Sequence, residues 1–372
     1  MFADAQEIAE RSGKNCLVAI TDHNTVLGVI EARKILATGK YPNVELISGA
    51  EFTVDMSVLN GLFGGKRVFG NCHILAYGFD ENNPALIEFS KKYHEGKRPN
   101  ITFRELVDLM KKTGGKLVIA HPGLIKIHQN GLKGYNGPNV ELQRQLYDIA
   151  EKAESNRTLL KFIPNSKVIL ELIIDRLLKL SGGTLVGMER FHPDNYSHGF
   201  DKAIGEICQR EGLIQTAGSD FHGYNLHTEF SVGNPFTENF QEFYKELLSD
   251  CTMYRCGIHV SHLPGIGLLR GENVSEEELN SEIEYISGNG EIITQEQYDQ
   301  VTTYFGEHLR KINLENNTSR YPKPKKKKSN NNKGKDSNNQ NNNHHHRERN
   351  HGRKGKKGKF YYPSEDRYDF ES

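Results

Sequence analysis

Apolar runs in this sequence repeatedly end on an imidazole or a carboxylate. Leu17–Ile20 leads into Thr21-Asp22-His23, Leu46–Ala50 into Glu51, Leu117–Ala120 into His121-Pro122, and Ile214–Gly218 into Ser219-Asp220-Phe221-His222. Neutral imidazoles and carboxylates together suit zinc, manganese and iron, and a carboxylate can bridge two ions. Ions held this way acidify a bound water and clamp phosphoryl oxygens, which is hydrolytic chemistry. His23, Glu51, His121, Asp220 and His222 are therefore candidate ligands. His73 starts its apolar run instead of ending it, so it fits the pattern less well. Asp22, beside His23, has the place of a carboxylate that orients a neighbouring ligand.

These residues need elements that bring them together. Each run has the length of a buried strand with its polar group at the C-terminal end, where catalytic groups converge in α/β barrels. Strands are expected at 17–20, 44–52, 72–79, 117–120, 184–189 and 213–217. Helices are expected at 3–11, 26–37, 103–112, 140–153, 166–180 and 200–210. Alternation of strand and helix predicts a parallel sheet or barrel. The expected layout is a barrel domain over 1–235, interrupted at 124–182 by a polar loop and two helices. A helical extension follows over 236–318, with helices near 238–248, 275–286 and 295–311.

Composition sets the outer bounds. A hydrophobic share of 36% with 18 Phe and 16 Tyr can fill a core without any Trp. The net charge of zero conceals a division. Residues 321–360 hold 14 Lys and Arg against two acidic residues, while residues 1–320 carry a net charge of about −9. Residues 319–372, rich in Lys, Asn and Gly, cannot bury a core and are expected to be disordered. Such a basic segment could contact RNA or DNA phosphates, or act as a nuclear signal in a eukaryotic source. Five scattered Cys give no disulfide framework and no zinc-ribbon spacing, which points to a reducing compartment. No apolar run reaches the length of a membrane span, since Glu171, Asp175 and Arg176 break the longest. A cytoplasmic protein is expected.

The motifs in order resemble one family. Thr21-Asp22-His23-Asn24-Thr25, Gly49-Ala50-Glu51, Cys72-His73-Ile74-Leu75 and Ala120-His121-Pro122 are similar to successive motifs of the PHP (polymerase and histidinol phosphatase) family. Gly187-Met188-Glu189-Arg190-Phe191-His192-Pro193 and Gly218-Ser219-Asp220-Phe221-His222 continue the series, over residues 3–235 in all. The resemblance implies a distorted seven-stranded, TIM-like (β/α) barrel with up to three divalent ions, manganese, zinc or iron, at its C-terminal mouth. It implies that Glu51 bridges two ions, with His73 and His121 on one and Asp220 on the second. His23 and His222 would hold the third, and His192 would sit at the rim near the substrate phosphate.

The family's first motif, a strand ending in His-x-His, has no counterpart before the helix at 3–11. The expectation is therefore a barrel lacking its first strand, holding one or two ions. It would have two open edges and an exposed apolar interior that favour association. The strand would lie upstream or come from another chain. The expected activity is metal-dependent hydrolysis of a phosphomonoester or phosphodiester, of a nucleotide or a nucleic-acid end. His222, His192 or a bound water would protonate the leaving oxygen, and the sequence does not choose among them. The alternative is a catalytically inactive barrel, or a gene fragment, whose basic tail binds nucleic acid.

Overall fold

In a computed structural model, residues 2–303 are described apart from 219–257 and short segments at 64–70, 95–100, 129–131, 136, 156–161, 165, 193–194, 196–198 and 288–290. All six expected strands form and lie side by side. They are β1 (Cys16–Ile20), β2 (Val44–Asp55), β3 (Asn71–Tyr77), β5 (Lys116–Ile119), β8 (Leu185–Phe191) and β9 (Ile214–Ala217), hydrogen-bonded in that order. The two-residue β4 (Ile101–Thr102) pairs with β2 off this path and brings the sheet to seven strands. The seventh strand is thus β4, an addition to β2, and the sheet is not closed among the described residues.

The sheet is mixed, which corrects the parallel expectation. β3 runs antiparallel to both of its neighbours, β2 and β5, while β1 with β2, β5 with β8 and β8 with β9 are parallel. A parallel pair needs a long crossover, commonly a helix, to return the chain to its starting end. Between Asp55 and Asn71 the described chain forms only a 3-10 helix, Ser57–Phe63, so β3 starts at the end where β2 stops. The first residues of β3 therefore share a rim with the last residues of the other strands.

Side-chain alternation divides the sheet into two faces. Phe52, Val54, Ile74, Ala76, Leu117, Ile119 and Met188 point to the outer face. There they pack against α4 (Phe103–Thr113), α6 (Lys167–Ser181) and α7 (Asp201–Glu211). The helices earlier in the chain are α1 (Phe2–Ser12), α2 (Leu27–Leu36), α3 (Pro84–His94) and α5 (Val140–Ser155). Of these, α3 was not expected from the sequence. α4 shows why such segments are helical. Thr102 and Glu105 close a reciprocal capping box at its start, and Gly114 at φ 80° ends it in the left-handed region. The interruption after β5 adds a small antiparallel pair, β6 (Lys126–His128) with β7 (Phe162–Pro164), besides its two helices.

Ile47, Leu75, Tyr77, Val118, Ala120 and Ile214 form the inner face. The sequence predicts that this face stays exposed, but it is covered. The 3-10 turn Ile266–Arg270 lays Leu269 into it, with Ile266 and Leu268 alongside. The approach is so close that a Cβ at Gly78 would fall 1.9 Å from the Leu269 carbonyl oxygen, and Gly78 has φ +66°. Only glycine meets both demands. Arg270 anchors the turn to Glu45 at the start of β2 at 2.7 Å, the end of the sheet away from the candidate ligands.

The region after residue 236 is also not the helical extension expected. Residues 238–248 lie outside the described residues, and residues 295–303 are helical. The acidic run near 275–286 is helical only over α8 (Glu276–Leu279). β10 (Ile258–His262), β11 (Glu284–Ser287) and β12 (Ile292–Ile293) form an antiparallel sheet instead. Tyr285 and Ile286 are buried, and burial with strand pairing overrides the helical preference of the acidic residues before them. Met1–Tyr321 forms one compact unit and Pro322–Ser372 a second. The second unit, with the basic tail, lies outside the described residues. No described helix is long and apolar enough to cross a membrane.

Leu269→Ala should lower unfolding stability by about 2–4 kcal/mol, because it opens a cavity under a covered face. Ile292→Ala, at a side chain 68% exposed, should change it by less than about 0.5 kcal/mol. Urea unfolding followed by circular dichroism measures both.

Candidate metal centre

Three strands and one turn deliver the site. Glu51 lies on β2 with the parity of Ile47, so its carboxylate joins the inner face near the rim. His73, the third residue of β3, shares the parity of Leu75 and Tyr77. It pairs with Thr53 on β2, two residues beyond Glu51. The antiparallel course of β3 is what brings a strand-start histidine to a rim of strand ends. His23 follows β1 and bridges Glu51 as an isolated parallel partner, with the Asn24 N–H donating to the Glu51 carbonyl at 2.7 Å.

His121 reaches the site by a break in alternation. Ala120 belongs to the inner face, so an extended continuation would turn the next side chain outward. Instead His121 adopts φ 23°, ψ 62°, one of two non-glycine residues with positive φ among those described. Such a conformation costs on the order of 1–3 kcal/mol and persists only where its surroundings impose it. It turns the imidazole back over the rim.

The heteroatoms converge tightly. Glu51 Oε1 lies 2.8 Å from His73 Nδ1 and 3.0 Å from His121 Nε2, and the two ring nitrogens are 3.3 Å apart. Around an ion with bonds of about 2.0–2.1 Å, neighbouring ligand atoms lie about 2.8–3.4 Å from one another. The spacing and chemistry of this donor set thus fit a divalent cation. His23 Nδ1 lies 3.4 Å from the other carboxylate oxygen of Glu51, and His23, Glu51 and His73 can offer ligand atoms within 4.8 Å of one another. The His23 and His73 side chains are 22% and 27% exposed, which leaves the rim open to a ligand.

The electrostatics agree. Burial pushes the Glu51 carboxyl upward, but hydrogen bonds from His121 and His73, with their charge, outweigh it and hold it well below the usual carboxylate range. Glu51 is therefore ionised wherever the protein is folded near neutrality. Burial, and then the Glu51 charge, push the adjacent Cys72 thiol up to about 12, so Cys72 stays neutral and offers no thiolate. Burial, then Glu189 and Glu51, also raise the Tyr77 phenol well above its ordinary value.

Other expected residues fall elsewhere. His192 is 1% exposed and lies behind His121, with ring centroids 5.2 Å apart, instead of facing the open rim. The Asp22 carboxylate lies over Gly28 in the first turn of α2, where a Cβ would come within 1.9 Å of it. Asp220 and His222 lie outside the described residues. The sequence reading passed over Glu189 and Asn195. Glu189 is 5% exposed, and its Oε2 accepts the His121 N–H at 2.8 Å. Glu189 follows the apolar residues of β8 just as Glu51 follows those of β2, so its signal was present in the sequence.

No protein-family profile and no curated protein matches this chain. Similar solved structures include an amidohydrolase from Chromobacterium violaceum with bound sulfate and no metal. It is 16% identical, over 59% of this chain and 82% of that one, with a TM-score of 0.38. Another is a provisionally named metal-dependent phosphoesterase from Bifidobacterium adolescentis. It is 15% identical, over 66% of this chain and 90% of that one, with a TM-score of 0.35. Overlap of that degree says nothing of this chain's chemistry, which is argued from its own residues.

His73→Ala and His121→Ala should each weaken zinc or manganese binding by more than about 100-fold, beyond the usual loss on removing an outer partner of a ligand. Calorimetric titration of the chelator-stripped protein measures the loss.

Proposed function

We propose that this chain is a metal-dependent phosphoesterase that hydrolyses a phosphomonoester or phosphodiester of a nucleotide or short nucleic acid. The observation that carries the reading is the convergence of Glu51 Oε1, His73 Nδ1 and His121 Nε2 at one rim, none more than 3.3 Å from another. The phosphoester is inferred from the ordered motifs that resemble the PHP family, and the nucleotide from the basic segment 321–360. A divalent ion on these residues, manganese, zinc or iron, supplies Lewis acidity toward a phosphoryl oxygen and an acidified water.

The chain's own residues do the rest. Glu51 brings one negative charge to the cation and the two imidazoles add none, so these three ligands by themselves leave the ion net positive towards an anionic phosphate. His23 lies on the second oxygen of Glu51, where it can hold a further cation or contact substrate. Asp220 and His222, just beyond β9, would complete the ligand set, with His222 as the donor of a proton to the leaving oxygen. His192, buried behind His121, would back that ring instead of touching substrate.

Purified full-length protein, stripped and reloaded with manganese, zinc or iron, should release nitrophenol from p-nitrophenyl phosphate or its bis ester. It should also release phosphate from nucleoside phosphates. Glu51→Gln should lower the rate by at least about 100-fold, the scale of losing one strong electrostatic contact in a closed site. An ion held without turnover on any phosphoester would favour the inactive barrel, and hydrolysis confined to carboxylic esters or amides would move the chain to another class.

A further inference from the structure

Behind the candidate ligands is a buried carboxylate with no assigned task. Glu189 stands on the inner side of β8 near its end and is 5% exposed. It touches three separate pieces of the rim. Oε2 accepts the backbone N–H of His121 at 2.8 Å. The same oxygen lies 4.0 Å from His192 Nε2. Oε1 rests against Gly218, where a Cβ would fall 2.0 Å from it, at the entry to Gly218-Ser219-Asp220. Its own backbone is pinned as well. Asn195, fully buried, donates through Nδ2 to the Glu189 carbonyl at 2.9 Å and the Arg190 carbonyl at 3.1 Å. Asn195 Oδ1 accepts the Gly123 N–H at 2.9 Å, two residues past His121.

We propose that Glu189 is a positioning residue. Its carboxylate holds the His121 backbone in the left-handed turn that swings the imidazole onto Glu51 and His73. The proposal rests on the metal-centre reading and adds a part to it. A buried carboxylate is costly unless it is hydrogen-bonded, and Glu189 accepts a charge-assisted bond from a main-chain N–H. That N–H belongs to the residue whose conformation breaks strand alternation. Without its acceptor, the turn relaxes toward extended backbone and the His121 ring leaves the site. The same carboxylate also packs against Gly218, where no side chain larger than glycine's would fit.

The test uses the full chain in two states. In the metal-free state, the His121 ring resonances, assigned with His121→Ala, are followed in histidine-ring correlation spectra. Glu189→Ala should shift them while leaving those of His262, on β10, in place. Glu189→Gln, which keeps one acceptor oxygen, should leave them near the wild-type positions. In the titrated state, Glu189→Ala should weaken manganese or zinc binding by about 10- to 100-fold, with most of the affinity restored in Glu189→Gln. In the His121→Ala background, removing Glu189 should cost less than about twofold more, because it acts through His121.

Unmoved His121 resonances, or a loss of affinity undiminished in the His121→Ala background, overturn the positioning role. If Glu189→Ala does not fold, Asn195→Ala carries the comparison. A shift of the His121 ring in Asn195→Ala with Glu189 intact supports the shared network, and unmoved resonances in that variant overturn it. Failure of the wild type to bind any ion sinks the metal reading alone, because the spectra of the metal-free protein still decide the fate of Glu189.

Discussion

A carboxylate removed from water must be matched, and Glu51 is matched by imidazoles that no local segment could supply. Its partners come from β3 and from the turn after β5, and His23 approaches from the end of β1. Each arrives by a different device: an antiparallel strand, a left-handed residue, a single bridge beyond a parallel pair. The sheet order around β2 and β3 is the arrangement that satisfies all three. The inner face below this point is apolar and the rim above it polar, so one stack of strands provides both core and site.

The apolar half of that stack needs a cover of its own. In a closed barrel the opposite strands would provide it. Here the turn carrying Leu269 does so, held at Gly78 by contact and at Glu45 by an ion pair. The cover sits at the far end of the strands, away from the rim. A segment that reads from the sequence as a helical extension therefore belongs to the same compact unit as the site.

What the sequence made legible follows from range. Apolar runs of strand length, glycine stops and capping residues act locally, and the six central strands and the helices between them, α3 excepted, were readable from those signals. Strand direction is not local. Nothing in Asn71–Tyr77 says which way it runs, and the answer lies in the lack of a crossover helix before it. That is why His73 looked misplaced at the start of a strand and proves to be a central member of the cluster. Glu51, His23 and His121 were legible as strand-end groups. The bend at His121 was not, because it depends on Glu189 across the sheet. Tyr285 and Ile286 show the same limit, since an acidic neighbourhood reads as helix until their burial decides for strand.

The central claim is that Glu51, His73 and His121 form one cation site. X-ray absorption at the metal edge of the zinc-loaded chain tests it most directly. Bound zinc should show nitrogen and oxygen neighbours at about 2.0–2.1 Å, with the multiple scattering of at least two imidazoles that disappears in a His73, His121 double alanine variant. A shell without imidazole, or an ion lost on simple dialysis, would contradict it.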